Sequence, residues 1–546
     1  MKKFPQHIFP VIVLLVLAIS ASAQRDSSRQ SINITTAFKP VLRNAVKVNL
    51  SGSQMLSDSV ASVRPYVIPS QNLFYSYQPV AVKPLAIQQD TTLYLGNRNY
   101  VKAGFGNLLT PYAEAGLSFG DGKTGLVNLY GRYISSKGKI EHQKYSFFDA
   151  KATGSYFTDK LEIGGAVSMM QHDYKLYGYD HTLYNYNRKQ VRQLLQDLNM
   201  KAFVRNITLN DFQLRYNPSI EVDLFSNRDK LYETGFVVNL PVEKRFGDNF
   251  ALKVAARADL TYFNTRNLGA LDTSFSNNIF QLQPDFTYHS PILNINAGVT
   301  PTWYGSSLKV LPNLFAEAEI KEDVLMIQAG WVGQYVKNTY SHLAAINPYL
   351  AMQNGQTNTI ETEYYGGIKM NLGKHFKLNA KAGLVHFDNL ALFINDTLTD
   401  GKAFNVVYEP TANNFRIKGD ISYILKDKFS ANAGITFNGY TGLKVNARAW
   451  HTLPVELNSA VRWWAFNQVL LKADFLFFAG SYYLDKGNIS DRSKPGADLS
   501  AGAEFKINRQ FSAWLDVNNI FNNKYERWHQ YEVYGLNLLG GIRFNF

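Results

Sequence analysis

Apolar and polar residues alternate with a two-residue period along most of the chain from about residue 100 onward. The pattern is clearest in residues 212–224, 250–262 and 498–507. In residues 250–262 every even position is apolar, whereas the odd positions include Lys253 and Arg257. Successive side chains of a β-strand point to opposite faces, so each stretch predicts a strand with one apolar and one polar face. Runs of about ten residues with this alternation are typical of transmembrane strands, and soluble strands are usually shorter.

Short polar turns separate these strands and alternate with connections that are usually longer. The predicted turns are residues 120–123, 158–160, 208–210, 247–249, 289–291, 321–323, 373–375, 426–428, 467–468 and 508–510. The predicted long loops include residues 172–195, 336–358, 388–412, 439–453 and 480–496. Short turns at one end and long loops at the other are typical of outer-membrane barrels. The fold class predicted is all-β, a transmembrane antiparallel β-barrel of about 22 strands, with both termini on the periplasmic side.

The closing strand is predicted at residues 537–546, NLLGGIRFNF. Leu538, Ile542, Phe544 and Phe546 share one face, which we expect to contact outer-membrane lipid. This strand must pair with the first one, because an open sheet edge is not tolerated in hydrocarbon. Phe544 and Phe546 are also a candidate assembly signal, read by the outer-membrane insertion machinery.

The beginning of the chain predicts export. A basic start is followed by an apolar run at residues 8–19, and the small residues before Gln24 predict signal-peptide cleavage between Ala23 and Gln24. We therefore expect a signal peptide at residues 1–23, an extended, proline-rich periplasmic segment at 24–98 and the barrel at 99–546. A barrel of this width is not filled by strand side chains alone, so we expect residues 24–98 to enter its mouth or to contact a periplasmic partner.

Composition narrows the classes of function. The chain has no cysteine, so it carries no disulfide framework, and its aromatic share is 14%. The formal charge of +13 comes from Lys and Arg residues scattered singly along alternating strands, which disfavours nucleic acid as a partner. No Ser/His/Asp set and no cluster with metal-ligand spacing stands out, so the prediction is a non-enzyme without cofactor or metal. His172 and His181 share one long connection, but two loop histidines are more often solvated than ligating.

Two groups of side chains are candidates for function. The first comprises polar residues on the predicted inner face, which either select a solute or pair with one another across strands. These candidate lumen residues are Arg215, Glu221, Lys253, Arg257 and Glu504. The second is a crowd of tyrosines in one long connection, which either bind a ligand by stacking or belong to an interfacial aromatic girdle. These candidate ligand-loop residues are Tyr174, Tyr177, Tyr179, Tyr184 and Tyr186.

Two stretches resemble the TonB-dependent receptors of the outer membrane. The segment NIFNNKY at 519–525, followed by Trp528, Tyr531, Gly535 and the last strand, is similar to the end of that family. Asn-Pro-Tyr-Leu at 347–350, followed by acidic and glycine residues at 361–368, looks like a degenerate copy of a second family block. The resemblance implies a 22-strand barrel that binds or transports a nutrient, with a TonB-type energising protein as a possible partner.

The family also carries a globular plug ahead of the barrel, and residues 24–98 do not have the pattern of one. This departure keeps a second interpretation open. The chain is then a plugless structural or scaffold subunit of an outer-membrane assembly, secretion or surface-display complex, with a surface or periplasmic partner.

Overall fold

The structure is a computed structural model that describes residues 99–546, except 266–272, 353–354, 374, 397–399, 427 and 486–488. The predicted signal peptide, its cleavage site between Ala23 and Gln24, and the predicted periplasmic segment 24–98 lie outside the described residues.

Most of the described chain is β-strand. The strands are β1 (Tyr100–Gly106), β2 (Thr110–Gly120), β3 (Gly125–Lys137), β4 (Lys144–Phe157), β5 (Leu161–Lys175), β6 (Arg192–Asn206), β7 (Leu214–Tyr216), β8 (Ser219–Asn227), β9 (Leu231–Phe246), β10 (Phe250–Thr265), β11 (Thr273–His289), β12 (Leu293–Tyr304), β13 (Ser307–Lys321), β14 (Leu325–Val336), β15 (Thr359–Leu372), β16 (Phe376–Asn395), β17 (Phe404–Leu425), β18 (Phe429–Thr441), β19 (Val455–Phe466), β20 (Val469–Phe478), β21 (Tyr482–Asp485), β22 (Ile489–Arg492), β23 (Gly496–Lys506), β24 (Phe511–Asn518) and β25 (Asn537–Asn545). One short helix, α1 (Tyr340–Ile346), lies between β14 and β15. No helix in the described part of the chain is long and apolar enough to cross a membrane.

Antiparallel pairing closes the sheet on itself. Strand β1 pairs with β2 on one side and with β25 on the other, so that Val101 lies opposite Phe544 and Lys102 opposite Arg543. β7 and β8 both pair with β9 and are two halves of one strand, interrupted at Asn217 and Pro218. Proline has no backbone N–H, which explains the break in the ladder. β21 and β22 form a separate hairpin, so the barrel has 22 strands and the predicted fold class is confirmed.

The connections differ at the two ends of the barrel. At the short-turn end, the connections run from two residues (467–468) to seven (207–213), and β1 begins and β25 ends here. The other end, the long-loop end, carries the connections 107–109, 138–143, 176–191, 228–230, 266–272, 305–306, 337–358, 396–403, 442–454, 479–495 and 519–536. The rhythm of short and long connections is therefore as the sequence predicts.

The two faces of the strands also follow the predicted alternation. On the outer face, Ile220, Leu252, Val254 and Phe505 are each 39–49% exposed. On β10 the opposite face carries Phe263, which is fully buried inside the barrel. An apolar outer band is what a barrel presents to lipid.

Two predicted loop boundaries are wrong. Residues 388–412 were expected to form a long loop, yet β16 extends to Asn395 and β17 begins at Phe404, leaving only 396–403 between them. Leu390, Leu392 and Phe404 are buried here, although Leu392 and Phe404 lie on opposite faces of the hairpin, so apolar residues on both faces obscure the alternation. The predicted loop 172–195 likewise shortens to 176–191, because His172 and Tyr174 belong to β5.

Candidate functional site

A hydrophobic core crosses the lumen at the long-loop end, and we call it the roof. It joins side chains from three inward-folded loops to inward-facing side chains of strands around most of the barrel. The loops contribute Tyr177, Tyr340, Leu343, Ala344, Ile346, Tyr349, Leu350, Trp528, Tyr531 and Tyr534. The strands contribute Tyr112, Ile134, Tyr145, Phe147, Tyr174, Leu195, Phe225, Leu231, Phe263, Phe393, Phe404, Trp514 and Leu539. Packing of this kind excludes water, so the roof obstructs the part of the lumen that it occupies.

Three tyrosines from three different loops meet at the centre of the roof. The rings of Tyr349 and Tyr531 are stacked with centroids 3.5 Å apart, and Tyr177 packs edge-on against both, at 6.2 and 4.9 Å. All three are at most 6% exposed, and the Tyr177 hydroxyl donates to the Glu532 carbonyl oxygen at 2.8 Å. A Cβ atom on Gly178 would lie 2.4 Å from the Tyr531 ring, so only glycine allows this close approach.

Burial keeps these phenols neutral. It raises the pKa of Tyr177 to about 12 and raises the pKa of Tyr349 and Tyr531 well above the ordinary value. The centre of the roof is therefore an uncharged aromatic stack at every physiological pH.

Helix α1 is fixed to the barrel wall through its first turn. The Glu233 carboxylate of β9 accepts the backbone N–H groups of Tyr340 and Ser341 at 2.7 and 3.2 Å, and the Thr339 hydroxyl caps His342 N–H at 3.1 Å. A carboxylate at a helix N-terminus satisfies donors that have no partner within the helix. Beyond the helix, the Tyr349 carbonyl accepts from Phe404 N–H at 3.0 Å, which joins the loop to β17.

A second buried carboxylate holds loop 442–454. Glu409 of β17 is fully buried and accepts the backbone N–H groups of Lys444, Val445 and Asn446, at distances from 2.6 to 3.2 Å. Removal of one partner from such a charge-assisted set leaves several buried donors unsatisfied. Glu233 and Glu409 thus act as two anchors between the barrel wall and its inward-folded loops.

His451 lies in the same loop and is a buried neutral base. Its Nδ1 atom donates to the Phe393 carbonyl oxygen at 2.8 Å, and its Nε2 atom has no hydrogen-bond partner among the described residues. Burial, with smaller contributions from the nearby Arg527 and His529, lowers the pKa of His451 to about 3, against the opposing effect of the Phe393 carbonyl.

We expect acid to loosen loop 442–454 through this histidine. Because the folded pKa of about 3 lies below the ordinary 6.5, stability is complete above about pH 6.5 and declines as the pH falls towards 3. Between pH 7 and 4.5 the loss is about 2–3 kcal/mol. Hydrogen exchange of residues 442–454 measures it. His451→Asn keeps a donor for Phe393 but does not titrate, so it should abolish the acid response; an unchanged response would contradict the assignment.

The predicted ligand-loop tyrosines divide into two groups. Tyr174 and Tyr177 are core members of the roof and offer no open face. Tyr179, Tyr184 and Tyr186 form a ledge above it, with Tyr179 and Tyr186 5.0 Å apart and the Lys402 ammonium 4.3 Å from the Tyr186 ring centre. Tyr184 and Tyr186 are nearly parallel, with 7° between their planes. A ligand role therefore stays a prediction for these last two rings.

The predicted lumen residues lie on the inner face, and several are paired. Glu504 faces Arg543 at 3.7 Å, Arg257 contacts Asp259 at 3.0 Å, and Glu221 contacts Lys201 at 3.5 Å. Lys253 lies across from Glu243 and Asp285, and Arg215 lies across from Glu243. Arg257 and Asp259 share β10, whereas the other pairs lie across strands, as in the alternative in which opposite charges pair.

No group of three or more metal-ligating side chains is present among the described residues. His172 faces Asp149 at 2.8 Å inside the barrel, whereas His181 contacts the Tyr177 carbonyl oxygen at 3.1 Å in the loop. The two histidines thus serve separate local contacts.

The sequence interpretation missed the anchors Glu233 and Glu409 and the acid-sensitive His451. It quoted Tyr349 and Tyr531 only for their resemblance to a family, although the two quoted stretches meet where these rings stack. A usable signal was present for α1: a capping threonine at 339 precedes Tyr340, Leu343 and Ile346 at helical spacing.

The fold and the roof define a class: a 22-strand outer-membrane-type barrel obstructed at one end by its own loops. Comparison with solved structures narrows this class. The barrel has the fold of the TonB-dependent receptors, as the sequence resemblance predicts. The FrpB iron transporter from Neisseria meningitidis (F5-1 variant) is 10% identical, with TM-score 0.64 and 83% of each chain covered. The ferripyoverdine receptor of the outer membrane of Pseudomonas aeruginosa is 13% identical, with TM-score 0.60, over 82% of this chain and 72% of that one.

A third structure, the closed form of the ferric-catecholate import receptor Fiu from Escherichia coli K12, is 11% identical, with TM-score 0.60 and 82% of each chain covered. No protein-family model and no curated protein matches the sequence. At these identities the likeness concerns the fold, and function has to be argued from the site.

Proposed function

We propose that this protein is an outer-membrane receptor that binds a nutrient on its long-loop face and admits it through a gated lumen. The roof carries the proposal: three loops fold inward and form a buried aromatic core across the lumen, and Glu233 anchors one of them to the wall. A barrel that served only as a wall in a complex needs no such core. The barrel shares its fold with receptors and transporters of iron compounds, and this likeness also supports a role in nutrient uptake.

The proposal places the long-loop end outside the cell and both ends of the chain in the periplasm. Short turns face the periplasm in barrels of this kind, and β1 begins and β25 ends at the short-turn end. A TonB-type protein is the proposed source of energy for opening the roof, with residues 24–98 as the segment that reaches it. No step of the proposal requires catalysis.

Growth of a deletion strain tests the function. We expect the strain to lose fitness on one class of nutrient, with iron complexes, oligosaccharides and peptides as the panel, and the full chain to restore it. A further strain carries Glu233→Ala, which releases the roof loop 337–358 but leaves the strands unchanged. Equal growth of the deletion and wild-type strains on every nutrient would contradict nutrient uptake.

The scaffold alternative predicts a different observation. Loops 138–143 and 479–495 present exposed residues around the roof, and an assembly subunit would use such a surface for a stoichiometric partner. Purification from membranes in mild detergent, followed by identification of co-purifying proteins, separates the two functions. A constant partner together with unchanged nutrient growth would favour the scaffold.

A further inference from the structure

The outer face of the barrel carries a row of cations at its long-loop rim. Lys137 of β3 lies directly opposite Lys144 of β4, and Lys175 of β5 lies directly opposite Arg192 of β6. Between β4 and β5, Ser146 lies opposite Asp173, and the same register continued by two residues sets Lys144 opposite Lys175. Four basic side chains therefore follow one another across four neighbouring strands.

These four residues point away from the lumen. Lys137 shares its face with Tyr133, and Lys144 shares its face with Phe148; both rings are exposed on the outer wall, at 39% and 38%. The rings lie four residues before the row, which is about 13 Å along a strand. The row thus lies just beyond the apolar band, at the level where headgroups meet water.

The row is short of negative charge. Asp173 contacts both Lys175 and Arg192, the latter at 2.8 Å. It is the one carboxylate on the outer face of β3–β6, because Asp149, Glu162 and Asp197 alternate onto the inner face. The side chains of Lys137 and Lys144 have no hydrogen bond or ion pair with the part of the chain that the structure describes. Like charges directly opposite one another destabilise a sheet, so this arrangement favours an external anion.

Neighbouring turns add to the positive charge. Exposed Arg228 and Lys230 follow β8, and the Arg228 guanidinium donates to the Arg192 carbonyl oxygen at 3.2 Å, which brings it beside the row. Asp229 lies in the same turn, and Glu141 lies in the connection between Lys137 and Lys144, where it contacts His142 and His181 at 3.7 and 3.8 Å. By contrast, exposed acidic and basic residues alternate in the turns of the short-turn end, as in Asp121 with Lys123.

We propose that this row binds the phosphate groups of a membrane-lipid headgroup. Lys and Arg donate strong, charge-assisted hydrogen bonds to phosphate oxygens. Four strands span about 14 Å at the usual spacing, which suits a headgroup with two phosphates better than a single one. The proposal depends on the barrel's position in a membrane and not on nutrient uptake, so either can fail without the other.

Native mass spectrometry of the full chain in detergent tests the site. The variant K137Q/K144Q/K230Q removes three exposed lysines of the rim and should weaken binding of diphosphorylated lipid A at least fivefold. The matched control K444Q/K494Q/K524Q removes three exposed lysines elsewhere at the same end and should bind like wild type. Retention of the heat-resistant folded form on gels verifies that both variants fold.

Three outcomes would overturn the proposal: equal losses in the two variants, no loss in the first, or undiminished binding of lipid A that lacks its phosphates. Binding of phosphatidylglycerol and of inorganic phosphate is measured as well, to identify which compound supplies the bound phosphate group. Weaker binding of phosphatidylglycerol than of lipid A supports a headgroup with two phosphates. Competition by inorganic phosphate at the lipid's own concentration would show an ion site instead and would contradict a lipid site.

Discussion

Replacement of Tyr349 and Tyr531 together by alanine should raise the conductance of the barrel in planar bilayers. The two rings stack at the centre of the roof, and loss of each buried aromatic costs about 3–5 kcal/mol. The Tyr531 hydroxyl also donates to the Lys402 carbonyl oxygen, so its removal takes away one contact between the roof and the segment that joins β16 to β17. Since a barrel of this width is an open channel unless it is plugged, we expect at least about a tenfold increase in conductance.

The matched control removes two tyrosines from the outer wall. Tyr232 and Tyr262 are 47% and 49% exposed and do not contribute to the roof, so Y232A/Y262A should conduct like wild type. Each variant is measured in the full chain and with residues 30–90 deleted. If the roof is the seal, the deletion alone leaves conductance low. If Y349A/Y531A conducts no more than wild type, both in the full chain and with residues 30–90 deleted, then the roof is not the barrier.

The second large effect concerns lipid-facing Val254. It is the fifth of the 16 residues of β10, about 13 Å along the strand from the short-turn end, and is 39% exposed on the outer face. V254R therefore buries a charge in hydrocarbon at a cost of about 2–4 kcal/mol. The measurement is the fraction of heat-resistant folded barrel across a urea series.

The control for V254R places an arginine at the same height inside the barrel. Gln283 of β11 is partly exposed on the inner face, next to Pro284, which lies directly across from Val254. Ala255 would be a poor control, because it is only 3% exposed. Q283R should lose far less stability than V254R, and equal losses would show that the assignment of faces is wrong.

Local pattern was sufficient to predict the barrel. The alternation in residues 250–262 and the short turns depend on neighbours in sequence, and the structure reproduces both. Prediction failed for 388–412, where Leu390 and Leu392 are buried and the extended ends of β16 and β17 pack under inward-folded loops. In this hairpin the positions of apolar residues are set by packing against other parts of the protein and not by contact with lipid.

The roof was beyond local pattern for a different reason. Tyr177, Tyr349 and Tyr531 are separated by more than 170 residues each, and nothing near any one of them specifies the other two. The tyrosine-rich connection was visible, but its division into buried Tyr177 and the open ledge of Tyr184 and Tyr186 depends on loops far along the chain. The roles of Glu233 and Glu409 could not be predicted for the same reason, because an inner-face carboxylate that binds a loop looks like any other lumen charge in the sequence.

The connectivity of the roof sets an order of events in folding. The Gln143 amide and the Tyr177 hydroxyl both donate to the Glu532 carbonyl oxygen, across 389 and 355 residues. Glu532 belongs to the loop between β24 and β25, which comes beside β3 only when β25 has paired with β1. Contacts so distant in sequence form late. The roof can therefore assemble only after the barrel has closed. Resistance of its loops to protease would then report that β25 has paired with β1.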